Sequence, residues 1–308
     1  MPIIDMADLP VQLPQNPADF AAARARFFNS GNAFNIKLPP VPSRLFTDEP
    51  ALAQANDTPT GLIACDQSDV VGGTEPATTP LLLARYARIR SGETLCTDFI
   101  ATGAIWYVIE GSGHSIAGDE RITWTTGDVF LLPGLPAATH HADTNSVLWV
   151  VTNEPQLALD GSRPPLSGQA VHYPAAEIER QLAIITAARS NEATSGHALI
   201  FSSEGLESAR NILPSLTLSL NTLPPGAAQR NHRHNSAAIT LILRGPNSHS
   251  MVDGIRAEWR EGGTMVTPPG APHSHHNGSN AQARFLIVQD GGLYYHARTM
   301  GFVFLEED

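Results

Sequence analysis

Residues 225–245 read PGAAQRNHRHNSAAITLILRG, and residues 258–276 read EWREGGTMVTPPGAPHSHH. Both mix short apolar runs with glycine and proline, the pattern of strands closed by tight turns. Each has an earlier counterpart. SGETLCTDFIATGAIWYVIEG, at 91–111, aligns with the first at an offset of 134, so Gly92 meets Gly226 and Gly111 meets Gly245. TWTTGDVFLLPGLPAATHH, at 123–141, aligns with the second at an offset of 135. Trp124 then meets Trp259, Gly127 meets Gly262, Pro133 meets Pro268, and His140 and His141 meet His275 and His276. A near-constant offset over about 50 residues indicates duplication and predicts two copies of one β domain of about 100 residues each.

Outside the repeats the pattern is mixed. Asn16-Pro17 followed by ADFAAARARFF predicts a capped helix of about 12 residues. KLPPVPSRLF reads as an extended arm, residues 155–170 as a linker, and PAAEIERQLAIITAARS, 174–190, as a helix starting at proline. Strands are expected in LLLARYARI, AIWYVIEG, HSIAG, RITWTTG and DVFLLPG. Glycine (25) and proline (24) are frequent among the 308 residues, and 42% of the chain is hydrophobic, so many short strands around a real core are favoured.

The net charge is −11 and Lys37 is the only lysine, a poor fit to nucleic acid or to an anionic membrane surface. No apolar run of about 18 residues is present, so no membrane span is expected. The N-terminal MPIIDMADLPVQLPQ lacks a basic and an apolar region, and Cys65 and Cys96 fall in no motif; both point to a reducing cytoplasm. Cys96 reads as a small buried residue.

Six of the twelve histidines lie between 232 and 276. The spacing Gly226-x5-His232-x-His234 puts two imidazoles on one side of a strand. The spacing Gly262-x5-Pro268-x-Gly270-x2-His273-x3-Asn277 delivers a third from a strand–turn–strand. The strand period puts His275 on the same side as His273 and His276 on the other. His114, His172, His197, His249 and His296 read as surface or hydrogen-bonded residues, and Trp124 and Trp259 as barrel packing.

These two strings resemble the two signature motifs of the cupin superfamily, and the whole chain resembles a bicupin. The resemblance implies an all-β fold with a few helices, built as two tandem double-stranded β-helix (jelly-roll) barrels. It divides the chain into an N-terminal arm and helix over 1–75, a degenerate first barrel over 76–160, a linker and helix over 161–196 and a metal-holding barrel over 197–308. It implies that His232, His234 and His273 are the metal ligands. The glutamate usual in the first motif is missing: NSAAIT follows His234. In the first copy Asp98, Ile100 and Ala138 occupy the ligand positions, and isoleucine and alanine cannot ligate.

A three-histidine site suits Fe(II), with Mn, Ni and Zn as alternatives. It is similar to that of the gentisate and salicylate dioxygenase group of bicupins. That likeness implies an enzyme cleaving the ring of a hydroxylated aromatic acid with O2, with His275 beside the substrate as the catalytic group. The group places an arginine six residues after the second ligand, and here Thr240 stands there. Thr240, Gln289 and Arg230 are the expected substrate contacts. Other metal-dependent cupin chemistry (isomerase, decarboxylase, diketone-cleaving oxygenase) and non-catalytic binding of a small ligand are the alternatives. Partners are a small-molecule substrate and O2, with no nucleic acid and no membrane, in a homodimer or homotetramer.

Overall fold

The computed structural model describes residues 4–35, 38–188 and 197–305. Two compact units are present, Met1–Pro40 and Val41–Asp308. In the first, the expected 12-residue helix (about three turns) is one turn only, Phe20–Ala23. Its cap is Asp19, whose carboxylate accepts from the Ala22 N–H at 2.7 Å. Asn16 instead takes the left-handed conformation (φ 54°). An antiparallel bridge from Gln12 to Phe27 folds the segment back on itself and leaves no room for a longer helix.

The second unit is mostly antiparallel sheet. Its N-terminal half has a six-stranded sheet, in spatial order 171–173, 129–133, 103–110, 146–152, 83–89 and 61–64, facing a four-stranded one of 94–97, 138–142, 112–117 and 120–125. Its C-terminal half repeats the plan. The six-stranded sheet runs 44–46, 264–267, 238–244, 283–289, 217–223 and 197–201, and the smaller sheet 255–258, 249–252, 273–276, 232–233 and 303–304. Edge strands come from segments expected to be arm or linker. Arg44–Phe46 pairs with Thr264–Thr267 of the second barrel, Gly61–Ala64 with the first, and Val171–Tyr173 with Val129–Pro133.

The period-2 alternation sorts side chains to two cores. Leu218, Leu220, Ile239, Leu241, Val266, Leu286 and Val288 pack with Tyr86, Ile105, Val129, Leu131, Val147, Trp149 and Val151, so the two large sheets share one apolar layer. The alternate residues face each barrel's interior. Trp106, Trp124 and Phe130 fill the first, and Trp259, Phe285 and Ile242 line part of the second. A buried polar chain crosses the shared layer. The Trp149 indole donates to Thr264 Oγ1 at 2.9 Å, Thr264 lies 2.6 Å from Tyr86 Oη, and Tyr86 donates to the Gly262 carbonyl.

Gly127 and Gly262 match across the repeat and both take positive φ (91° and 79°), a conformation open to glycine without steric cost. Each donates its N–H to a carbonyl on a strand of the large sheet, Val108 on 103–110 and Ile242 on 238–244. The second helix is Ala175–Ala187, close to expectation, although its last expected residues, 189 and 190, lie outside the described residues. Buried Asp128 anchors it, accepting from Ala175 N at 2.7 Å while holding His172 at 3.1 Å.

Candidate metal centre

His232 and His273 face each other across paired strands, and His234 follows one residue beyond the short strand His232–Arg233. Their available nitrogens all lie within 4.8 Å of one another, and all three side chains are buried. The ring centroids of His232 and His234 stand 4.2 Å and 4.7 Å from that of His273.

The outer nitrogen of each ring is tied to main chain. His232 Nδ1 lies 2.8 Å from the Arg230 carbonyl, His234 Nδ1 2.8 Å from that of Ser236, and His273 Nδ1 2.9 Å from that of Ala271. A carbonyl only accepts, so each Nδ1 carries the proton and each Nε2 presents a lone pair inward. This is the tautomer a metal needs. Burial draws His234 down to about 4 and His273 to about 3, and lowers His232 as well, so all three are neutral at pH 7. No carboxylate joins the group among the described residues. Three buried neutral imidazoles with open Nε2 atoms fit a borderline divalent ion such as Fe(II).

The histidines open onto a cavity of about 200 Å³. Thr240, Gln289 and His275 line it, as the sequence suggests, and so do Ser219, Asn221, Gln229, Ile200, Ile287, Tyr295, Met300 and Phe302. Thr240 Oγ1 is buried with no hydrogen-bond partner. The Gln289 amide reaches within 3.3 Å of His234 Nε2. Arg230 is not brought in. It is exposed, with its guanidinium 4.7 Å from the centre of the Phe304 ring: the strand that carries His232 begins only at that residue, so Arg230 lies in the segment before it, where the period of two does not hold. Among the described residues no arginine or lysine lines the cavity.

His275 is fully enclosed, with Nδ1 2.7 Å from Ser250 Oγ, which accepts from the Trp259 indole at 2.8 Å. His276 points to the other face, stacked on His249 at 4.6 Å. Ser219 and Asn221 were legible from the alternation of the strand 217–223, and Ser250 from the His-Ser pair recurring at 114–115 and 249–250. Phe302 and Met300 had no such signal, because they reach the cavity only through the fold of the last segment.

The first barrel places its counterparts differently. Asp98 and Ile100 are exposed, on the wall of a separate cavity of about 510 Å³ that His140 does not line. His140 is buried and pulled down to about 3 by desolvation. Cys96 is exposed, not buried, because it lies on the outward side of the edge strand Thr94–Thr97; both cysteines are free.

The cupin domain family model matches residues 219–289, which span the cavity strands and both histidine clusters. That stretch is similar to a cupin domain. The chain is 30% identical over 149 residues to gentisate 1,2-dioxygenase 1 of Aquipseudomonas alcaligenes, covering 47% of this chain and 40% of that protein. It is 26% identical over 160 residues to 1-hydroxy-2-naphthoate 1,2-dioxygenase of Nocardioides sp. (strain KP7), covering 51% and 40%. The chain thus spans about two fifths of the length of these curated relatives. Its fold is similar to that of the salicylate 1,2-dioxygenase of Pseudaminobacter salicylatoxidans, at a TM-score of 0.72 and 14% identity over 87% of this chain and 89% of that one. None of the described helices is long and apolar enough to cross a membrane.

Proposed function

We propose that this chain is a bicupin and a mononuclear non-haem Fe(II) dioxygenase that opens the ring of a hydroxylated aromatic acid of the gentisate or salicylate kind. The observation that carries the reading is the convergence of three buried Nε2 lone pairs with no carboxylate beside them among the described residues. The named relatives, which are ring-cleaving dioxygenases, support it. His232, His234 and His273 hold the ion, which supplies the redox chemistry by which O2 reacts with the ring. O2 is the oxidant, and both its atoms enter the opened product.

The chain's own residues bind and orient the substrate. Ile200, Ile287, Met300 and Phe302 offer apolar surface to the ring and keep water from it. Thr240 and Gln289 bond its oxygens, and His275 bonds the oxygen nearest the metal. The cavity, about 200 Å³, suits one ring better than two. The first barrel holds no metal and acts as structural support. The two free cysteines fit the cytoplasm, and the assembly is a homodimer or homotetramer.

The missing cation keeps a second reading in view: a substrate that carries no carboxylate, such as a β-diketone chelating as its enolate, needs no arginine. O2 uptake by anaerobically Fe(II)-loaded protein separates the two. Uptake with gentisate, salicylate or 1-hydroxy-2-naphthoate, abolished by His273→Ala, is the expected result. Uptake with the β-diketone alone favours the second reading, and none with any of the four refutes oxygenase activity on these classes.

A further inference from the structure

The four histidines at the cavity divide into two tautomers, and the partner of Nδ1 decides which. For His232 and His273 that partner is a carbonyl; His234 Nδ1 meets the Ser236 carbonyl at 2.8 Å and the Ser236 hydroxyl at 3.0 Å, and the nearer carbonyl, which only accepts, fixes the proton on Nδ1 there too. For His275 it is the hydroxyl of Ser250. A hydroxyl can give or accept, so the direction is set one step further out. The Trp259 indole N–H only donates, and it donates to Ser250 Oγ at 2.8 Å. If His275 Nδ1 also donated to that oxygen, the serine hydrogen would be left in a fully buried site with no acceptor. The arrangement that satisfies every group runs Trp259 N–H to Ser250, Ser250 O–H to His275 Nδ1. It leaves the imidazole hydrogen on Nε2.

The first barrel contains the same relay and shows its end. Trp124 donates to Ser115 Oγ at 2.9 Å, Ser115 lies 2.8 Å from His140 Nδ1, and His140 Nε2 meets Thr97 Oγ1 at 3.0 Å. There the Nε2 hydrogen is satisfied inside the protein by an oxygen. In the second barrel no described side chain is hydrogen-bonded to His275 Nε2, and His275 lines the cavity.

We propose that Ser250 and Trp259 are positioning residues that lock His275 as its Nε2–H tautomer, so that it acts as a fixed hydrogen-bond donor to an anionic oxygen, phenolate or carboxylate, of the bound substrate. His275 on this account accepts no proton during turnover. The donor state stands on geometry alone; the identity of the acceptor rests on the dioxygenase reading above.

The test is the ring-nitrogen NMR spectrum of ¹⁵N-histidine-labelled protein loaded with Zn(II), which is diamagnetic, at pH 7.5. His275 is expected to show an unprotonated Nδ1 and a protonated Nε2, and the three ligands the reverse. Ser250→Ala is expected to lose the His275 pattern with Zn(II) stoichiometry retained, and Ser250→Thr to restore it. With the substrate found by O2 uptake, Ser250→Ala should lower kcat/KM by about ten- to a hundred-fold. Ser115→Ala should alter His140 and leave turnover unchanged. A wild-type His275 with its proton on Nδ1, or a Ser250→Ala spectrum unchanged at His275, overturns the proposal. If Ser250→Ala does not fold, the wild-type spectrum and that of Trp259→Phe decide. Absence of O2 uptake with a correct spectrum removes the dioxygenase reading and leaves the donor assignment standing.

Discussion

Replacing Thr264 by valine tests whether the two barrels are stabilised as one body. Thr264 sits in the middle of the buried chain that runs from the Trp149 indole through its own hydroxyl to Tyr86 and the Gly262 carbonyl. Valine has nearly the same shape and equal strand preference, so packing in the shared apolar layer is preserved. Tyr86 keeps an acceptor in Gly262, but the indole N–H of fully buried Trp149 loses its only one. An unsatisfied buried donor costs about 1–3 kcal/mol. For a unit of this size that is a fall in Tm of about 2–5 °C. Calorimetry of wild type and Thr264→Val should show one transition in each, displaced by that amount, because Trp149 and Thr264 belong to different barrels that share a core. Metal stoichiometry should not change. An unchanged Tm, or two separate transitions of which one moves, would refute the reasoning.

Three further outcomes are expected. Alanine at His232, His234 or His273 should abolish retention of one Fe(II) per chain after desalting, measured by metal analysis, whereas His276→Ala, on the opposite face, should retain it. Thr240→Val should remove an unpartnered buried hydroxyl and so raise stability by about 1 kcal/mol, while raising KM for the substrate whose oxygen that hydroxyl meets. Below the ordinary histidine pKa near 6.5 the unfolded chain takes up a proton that folded His140, held at about 3, refuses. Its contribution is therefore complete above about pH 6.5 and is lost as pH falls toward 3, by at most about 5 kcal/mol. Urea titrations at pH 7 and pH 4.5 should show a smaller loss in His140→Gln than in wild type.

The convergence of His232, His234 and His273 was legible because its spacing is local: i and i+2 in one segment, and a Gly-Pro-Gly turn before the third. The duplication was legible too, since matched glycines and tryptophans recur at one offset. The failures share a cause. Arg230 is the arginine nearest the site that could stand in for the one missing at Thr240, but it lies before the strand His232–Arg233 and packs outward on Phe304. The arm around 44–46 and 61–64 carries too few residues to announce edge strands whose partners lie far along the chain. Cys96 was assigned to the interior from residue type alone, yet it lies on the exposed side of an edge strand.

By itself the sequence determined the repeat, the strand-rich class, the three converging imidazoles and the loss of that set in the first copy, because each depends on spacing within a few residues or on composition. Only the tertiary structure decided which nitrogen of each histidine is free, which walls close the cavity and how the barrels join. For His232, His234 and His273 the deciding carbonyls lie only two residues away, but their aim is a property of the folded backbone; the groups around His275, the cavity walls and the seam between barrels are brought together by strand pairing and sheet packing between segments 9 to 178 residues apart.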